Sequence, residues 1–203
     1  MSEATISEQS GDNRRADLRR SLRAAREGMS AADVARHSTA IATRVMPLLE
    51  NVTRVAGYIS LGAEVCVTAV LTACRERGQL TFVPIVRPGN QMVFAPITNS
   101  SKLINNRYGI PEPDVRDDNF LQGADLDVVL VPLVGFDARL NRMGMGGGFY
   151  DRAFAQRREA LSIAQTPRLI GVAHAMQQVD DVFADWWDVP LDYVVTEDDV
   201  ISR

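Results

Sequence analysis

Apolar residues recur along this chain in two different periods, and the places where the period changes mark the elements. Between 14 and 27, Leu18 and Leu22 stand one turn apart among charged residues, which predicts an amphipathic helix. A second helix is predicted from Ser30, where Asp33 completes an approximate capping box. Val34, Ile41, Val45 and Leu48 follow at helical spacing, and the pattern fades at 47–49. Apolar runs at 54–60, 80–86, 92–97, 128–134, 169–173 and 193–196 predict strands. The 128–134 run is almost unbroken, as a strand covered on both faces requires. Helical spacing returns at 68–77, closed by Gly78, and at 153–161. The stretch 105–119 is rich in Pro, Asp and Asn and is expected as surface loop. Strands alternating with helices predict one α/β domain, a three-layer α/β/α arrangement around a mostly parallel sheet. Residues 1–12 are small and polar and are expected as a disordered tail before a domain at 13–203.

Composition narrows the partners. With 203 residues, 46% of them hydrophobic, the chain is long enough to bury one sizeable core. A formal charge of -4 leaves no domain-wide basic excess, so no nucleic-acid partner is expected. No apolar run reaches membrane-spanning length, and the N-terminus lacks the apolar core of a secretion signal. The only cysteines are Cys66 and Cys74; on one helix they would stand roughly 12 Å apart, too far for a disulfide. These features suit a monomer in a reducing cytoplasm that binds no membrane. Neither Cys-x-x-Cys nor His-Glu-x-x-His spacing occurs. His174, at a predicted strand end, is expected as a hydrogen-bonded structural residue, and His37 as an ordinary residue of the second helix.

The densest chemistry lies between the 128–134 strand and the 153–161 helix, in Arg142-Met143-Gly144-Met145-Gly146-Gly147-Gly148-Phe149-Tyr150-Asp151-Arg152. Its glycines allow a tight turn with N–H groups open to an anion, and the next helix would aim its positive end there. Arg142 and Arg152 bracket the loop with charge, and Asp151 offers a hard oxygen to Mg2+. The plainer alternative is a flexible turn that needs several residues with positive φ. The Gly-Lys-Ser/Thr ending of a P-loop is missing, and Phe149 stands where a dinucleotide fingerprint needs glycine. The segment therefore reads as a nucleotide-triphosphate site of another kind.

With Pro132, Phe136-Asp137, Arg142, Gly144, Gly146, Gly148, Phe149, Tyr150 and Asp151, the region resembles the signature of the 5-formyltetrahydrofolate cyclo-ligases, also called methenyltetrahydrofolate synthetases. The likeness runs from about Arg15 to Ile201. It implies a NagB/RpiA/CoA-transferase-like fold with the site at strand ends. It further implies an ATP- and Mg2+-dependent ligase that closes 5-formyltetrahydrofolate to 5,10-methenyltetrahydrofolate, releasing ADP and phosphate.

Carried onto this chain, the resemblance makes Arg142 and Tyr150 catalytic. Arg15, Arg19 and Arg142 would hold ATP together with Gly144, Met145, Gly146, Gly147, Gly148, Phe149 and Tyr150. Ile59, Glu64, Met145, Gly148 and Phe149 would line the folate pocket, and Asp151 and Asp188, rather than Asp192, would hold Mg2+. The arginines of the first helix also have a simpler reading as a solvated basic face. The segment 109–113, Gly-Ile-Pro-Glu-Pro, matches the same family and is expected to be structural, with its two prolines making it rigid. Departures stand at Arg15, where relatives have lysine, at Cys66 and Val67, which replace an acid and a hydroxyl, and at Leu140, which replaces a turn glycine. Leucine resists positive φ, so the 137–141 loop is expected to take another path. The departures favour one alternative, a weakly catalytic paralogue that binds folate or nucleotide as a sensor or store. Another is a sugar-phosphate isomerase that turns the loop on its substrate's phosphate and needs no ATP.

Overall fold

The computed structural model of the chain describes residues 3–106, 109–115, 119–158 and 167–202. Its centre is a seven-stranded sheet. The strands are β1 (Arg54–Ala56), β2 (Leu80–Arg87), β3 (Gln91–Pro96), β6 (Val128–Pro132), β9 (Arg168–Val172), β10 (Tyr193–Val195) and β11 (Val200–Ser202), in the order β11-β10-β9-β6-β1-β2-β3. The five inner strands run parallel, and β3 and β11 pair antiparallel at the two edges. The sheet is therefore mixed and mostly parallel, as the alternating pattern predicted. Its ends trim the prediction: β1 stops at Ala56, Gly57 adds one more bond to the Phe82 carbonyl of β2 at 2.9 Å, and the residues from there to Ser60 are not strand.

Strand alternation sorts the core onto two faces. Val128 and Leu130 face a cluster with Ile41 and Val45 of α2 (Ala31–Val45) and with Val70, Leu71 and Cys74 of α3 (Thr68–Glu76). Val129 and Val131 face Phe136, Leu140, Phe154, Val189 and Leu191. These four of the five β6 side chains are fully buried, each worth roughly 1.5–3 kcal/mol against exposure. The second face departs from the expected helix at 153–161. Helix α4 (Phe149–Ala153) is little more than one turn, and a 3-10 turn, Ala155–Arg158, follows; 159–161 lie outside the described residues. Most of that layer is a hairpin of β7 (Gly135–Phe136) with β8 (Arg142–Met143), together with the segment around Val189 and Leu191.

Helix α1 (Glu3–Glu27) begins well before the predicted Arg14 and takes in residues of the segment assigned to a tail. It packs Leu22 so tightly on Gly135 that an added Cβ there would lie 2.6 Å from the leucine. Arg26 of α1 donates to the Leu133 carbonyl at 3.3 Å. Glycine at 135 thus seats α1 over the end of β6. Part of the expected 105–119 loop is a second hairpin, β4 (Leu103–Asn105) with β5 (Pro111–Pro113). Cys66 precedes α3 and Cys74 lies in it; both are free thiols. No helix among the described residues is long and apolar enough to cross a membrane.

Candidate active site

The hairpin after β6 sets the geometry of the glycine loop. Asp137, fully buried at its tip, accepts from the Arg139 and Asn141 N–H groups at 2.9 and 3.1 Å and from the Asn141 amide at 3.0 Å. Burial pushes its pKa up, but the hydrogen bonds from Asn141 and Arg139 outweigh that and hold the carboxyl below its ordinary value. Leu140 takes φ 65°, so the loop keeps the left-handed turn that a leucine was expected to refuse. Its side chain is buried in the core, its N–H bonds the Asp137 carbonyl at 3.0 Å and its carbonyl accepts from Leu191 at 3.0 Å. Burial and two backbone bonds offset a strain of about 1–2 kcal/mol.

The hairpin delivers Arg142 and then the loop into a cavity of about 830 Å³ at the strand ends. Gly146 and Gly148 have φ of 95° and 61°, which L side chains rarely adopt. Arg152 braces the loop by donating to the Gly147 carbonyl at 2.8 Å, with its guanidinium 5.2 Å from the Phe149 ring centre. Helix α4 is five residues long and leaves little helix dipole to aim at an anion.

Four arginines and four carboxylates line this cavity: Arg15, Arg19, Arg142 and Arg152 against Glu64, Asp151, Asp185 and Asp188. Arg142 is buried and donates to Asp151 Oδ1 at 2.7 Å and to the Val189 carbonyl. Arg15 bonds Asp185 at 2.5 Å and Asp188 Oδ2 at 2.6 Å. Arg19 donates from Nε to the Gly144 carbonyl at 2.8 Å. Burial and then the charge of Arg15 lower the pKa of Arg19. The basic residues of α1 that face the cavity are thus held in place, unlike a solvated face. Glu64 is fixed by the Leu61 N–H at 3.0 Å and by Arg26 at 3.5 Å.

The two proposed metal ligands share one property. Asp151 receives both its hydrogen bonds on Oδ1, from Arg142 and from the Val189 N–H at 3.1 Å. Asp188 receives both of its own on Oδ2, from Arg15 and from the Asp185 N–H at 2.9 Å. Each carboxylate therefore keeps a second oxygen available in the cavity, a donor set that fits a hard cation. Asp192 differs: it pairs with Arg157 and does not line the cavity. Among the described residues the buried Tyr150 hydroxyl, part of the lining, has no hydrogen-bond partner, and burial raises its pKa. A buried hydroxyl left unbonded costs about 1–3 kcal/mol, which a polar ligand atom would recover.

Of the site residues read from the sequence, Ile59 alone is not part of the lining; it packs against the core near Tyr58. Sequence reasoning missed Asp185, Trp187 and Ile110 as lining residues and Arg26 as the partner of Glu64. Position 185 precedes Asp188 by one turn's length, which was the available signal; nothing local marks Arg26 among so many arginines. His174 is buried outside the cavity, with Nε2 3.0 Å from the Ala63 carbonyl. Burial lowers its pKa.

The sequence between 11 and 197 matches the model of the 5-formyltetrahydrofolate cyclo-ligase family. The chain belongs to this family. It is 34% identical over 161 residues to the 5-formyltetrahydrofolate cyclo-ligase of Escherichia coli, an alignment covering 76% of this chain and 85% of that one. The Haemophilus influenzae enzyme of the same name is 28% identical over 182 residues, covering 88% and 95%. The solution structure of Aquifex aeolicus 5,10-methenyltetrahydrofolate synthetase superposes with a TM-score of 0.78 at 27% identity, over 93% of this chain and 92% of that one. The Mycoplasma pneumoniae 5,10-methenyltetrahydrofolate synthetase, at 22% identity and a TM-score of 0.70, shares the fold. This family member is accordingly an enzyme of the cyclo-ligase type.

Proposed function

We propose that the cavity converts 5-formyltetrahydrofolate to 5,10-methenyltetrahydrofolate with consumption of MgATP and release of ADP and phosphate. The observation that carries this reading is the convergence, in one cavity, of the glycine loop, Arg19 and Arg142 with two carboxylates that each keep one oxygen open. A formamide oxygen is a poor leaving group. Its attack on the γ-phosphorus expels ADP and turns that oxygen into part of a phosphate ester. N10 then adds to the same carbon, the C–O bond breaks with departure of phosphate, and the N10 proton is lost.

Such chemistry asks the protein chiefly for position and charge. The loop N–H groups and Arg19 would hold the phosphate chain, and Arg142 would fix Asp151 while adding charge at the cavity floor. Asp151 and Asp188 would hold Mg2+, which supplies charge neutralisation to the transferring phosphoryl group. With four positive side chains against four negative, the cavity has no net charge of its own to set against a polyanion, so a divalent cation is called for. Glu64, steadied by Arg26, would accept from N–H donors of the pterin, with Phe149 along its flat face. The Tyr150 hydroxyl would meet a polar atom of the folate. Two free thiols, Cys66 and Cys74, suit a cytoplasmic enzyme.

The test is formation of the methenyl chromophore from 5-formyltetrahydrofolate. It should require both ATP and Mg2+ and yield one ADP per product; turnover without ATP would sink the reading. Two of the four departures speak for turnover against the weakly catalytic paralogue: Leu140 keeps the turn, and Arg15 keeps an ion pair with Asp188.

A further inference from the structure

A second cluster of ligating side chains lies apart from that cavity. His37 of α2, His174 just beyond β9 and Glu197 just beyond β10 bring one donor atom each within 4.8 Å of one another. His37 Nδ1 stands 3.1 Å from His174 Nδ1 and 3.1 Å from Glu197 Oε1. The proton inventory of this cluster does not close. His174 Nε2 faces the Ala63 carbonyl at 3.0 Å, and a carbonyl only accepts, so Nε2 carries the hydrogen and Nδ1 is a bare lone pair. Arg36 donates to His37 Nε2 at 3.3 Å, which places the hydrogen of the neutral His37 ring on Nδ1. That single hydrogen faces two acceptors, the His174 lone pair and the Glu197 carboxylate, and can serve only one of them well.

We propose that His37, His174 and Glu197 bind a divalent transition-metal ion of the zinc type, in a site separate from the nucleotide cavity. A cation at the centre displaces the shared hydrogen to His37 Nε2 and satisfies all three donors together, while Arg36, an exposed side chain, then keeps only its ion pair with Asp33 at 2.6 Å. Donors around a tetrahedral ion with bonds of about 2.0–2.1 Å stand about 3.3 Å apart, close to the two separations of 3.1 Å. Two imidazoles with one carboxylate select zinc, cobalt or nickel over Mg2+, which prefers oxygen and near-octahedral surroundings. The next shell is in place: the Ala63 carbonyl orients His174, and the Ala175 N–H at 2.9 Å orients Glu197 through Oε2. Arg36 and Arg26, the cations nearby, are already paired with Asp33 and Glu64. Three protein ligands leave a fourth position for water. The ion would pin α2 to the ends of β9 and β10 and, through Ala63, to the segment that carries Glu64.

Co2+ is the probe, titrated into full-length protein freed of metal with a chelator. The expected result is one equivalent bound with the intense visible bands of tetrahedral cobalt. Zn2+ should displace it and raise the melting temperature by several degrees. His37→Ala, a change on the half-buried face of α2, should weaken binding about a hundredfold or more and abolish the bands. Glu197→Gln, which keeps an oxygen for the Ala175 N–H, should weaken binding without unfolding the chain. Absence of tight binding to the wild type overturns the proposal. So does binding that both variants retain, or a weak octahedral spectrum, since each would place the ion elsewhere.

Discussion

Carboxylates stand at both ends of the parallel strands, and the two ends hold them differently. Where the strands begin, Asp192 receives the Arg157 guanidinium on both oxygens, each at 2.7 Å, and the Leu169 N–H on Oδ2 at 2.7 Å. Asp127 at the same end accepts the Thr53 and Arg54 N–H groups at 2.7 and 2.8 Å, both on Oδ2, tying the start of β6 to that of β1, and it does not line the cavity. Where the strands end, Asp151 and Asp188 also face arginines, yet each is engaged through one oxygen only. Asp192, Asp151 and Asp188 each meet one arginine and one backbone N–H. What separates Asp151 and Asp188 from Asp192 is an unengaged oxygen on a carboxylate that lines the cavity, which the bare presence of an ion pair does not reveal.

That contrast predicts loss of turnover at one end of the sheet and loss of stability at the other. The largest effect is expected from Asp151→Asn: turnover should fall on the order of a thousandfold, since Mg2+ loses a charged ligand. The variant should fold with a modest drop in melting temperature, because the amide oxygen still accepts from Arg142 and the Val189 N–H although Arg142 loses its counter-charge. Activity near wild type across an Mg2+ titration would move the metal elsewhere. Arg142→Ala should weaken ATP binding roughly tenfold to a hundredfold and folate binding little, as calorimetry with each ligand can show. It should also lower stability by about 2 kcal/mol or more, because Asp151 loses its buried partner.

Asp192→Ala inverts the pattern. Denaturant unfolding should show a loss of about 1.5–3 kcal/mol, while turnover at a permissive temperature stays within roughly twofold of wild type. A catalytic defect in the folded variant would erase the distinction between the two ends. Arg15 should give a graded result. Arg15→Lys should keep most activity, and Arg15→Ala should raise the ATP requirement several-fold by releasing Asp185 and Asp188; kinetics with ATP varied will tell, and a silent alanine variant leaves Arg19 as the contact from α1. The smallest effect concerns Asp137. Its folded pKa lies below the unfolded value of about 3.9, so its contribution is present above that pH and is lost as the pH falls through the folded value. Asp137→Asn should therefore be less stable at neutral pH and show a flatter acid limb below about pH 4, measured by thermal unfolding.

The sheet was legible because β6 had to be apolar on both faces, and its unbroken run from Val128 could not be mistaken for an amphipathic element. The glycine loop was legible because four glycines beside Arg142 and Asp151 have few other uses. Short elements were not: the β7–β8 and β4–β5 hairpins each rest on two or three residue pairs, too few for a period to show. The reading of Leu140 failed because positive φ was weighed against local sterics alone, whereas burial and the bonds to Asp137 and Leu191 decide the outcome. Ile59 was assigned to the pocket by resemblance and packs instead on the core. The His37–His174 contact joins residues 137 positions apart on different elements, a juxtaposition no local pattern carries.

Position 144 has a consequence for how the loop tolerates change. Gly146 and Gly148 are required by the backbone, and a Cβ at 147 would fall 2.7 Å from the Phe149 ring. Gly144 has neither constraint: its φ is ordinary and nothing lies within 4 Å of an added Cβ. The empty volume beside it opens on the cavity, so the chain's own packing does not require glycine there. An alanine at that place would act as a bump of known size on an otherwise intact wall. It would exclude ligands that press against the loop and admit analogues trimmed by one methyl, which makes this residue the natural handle for an engineered enzyme–inhibitor pair.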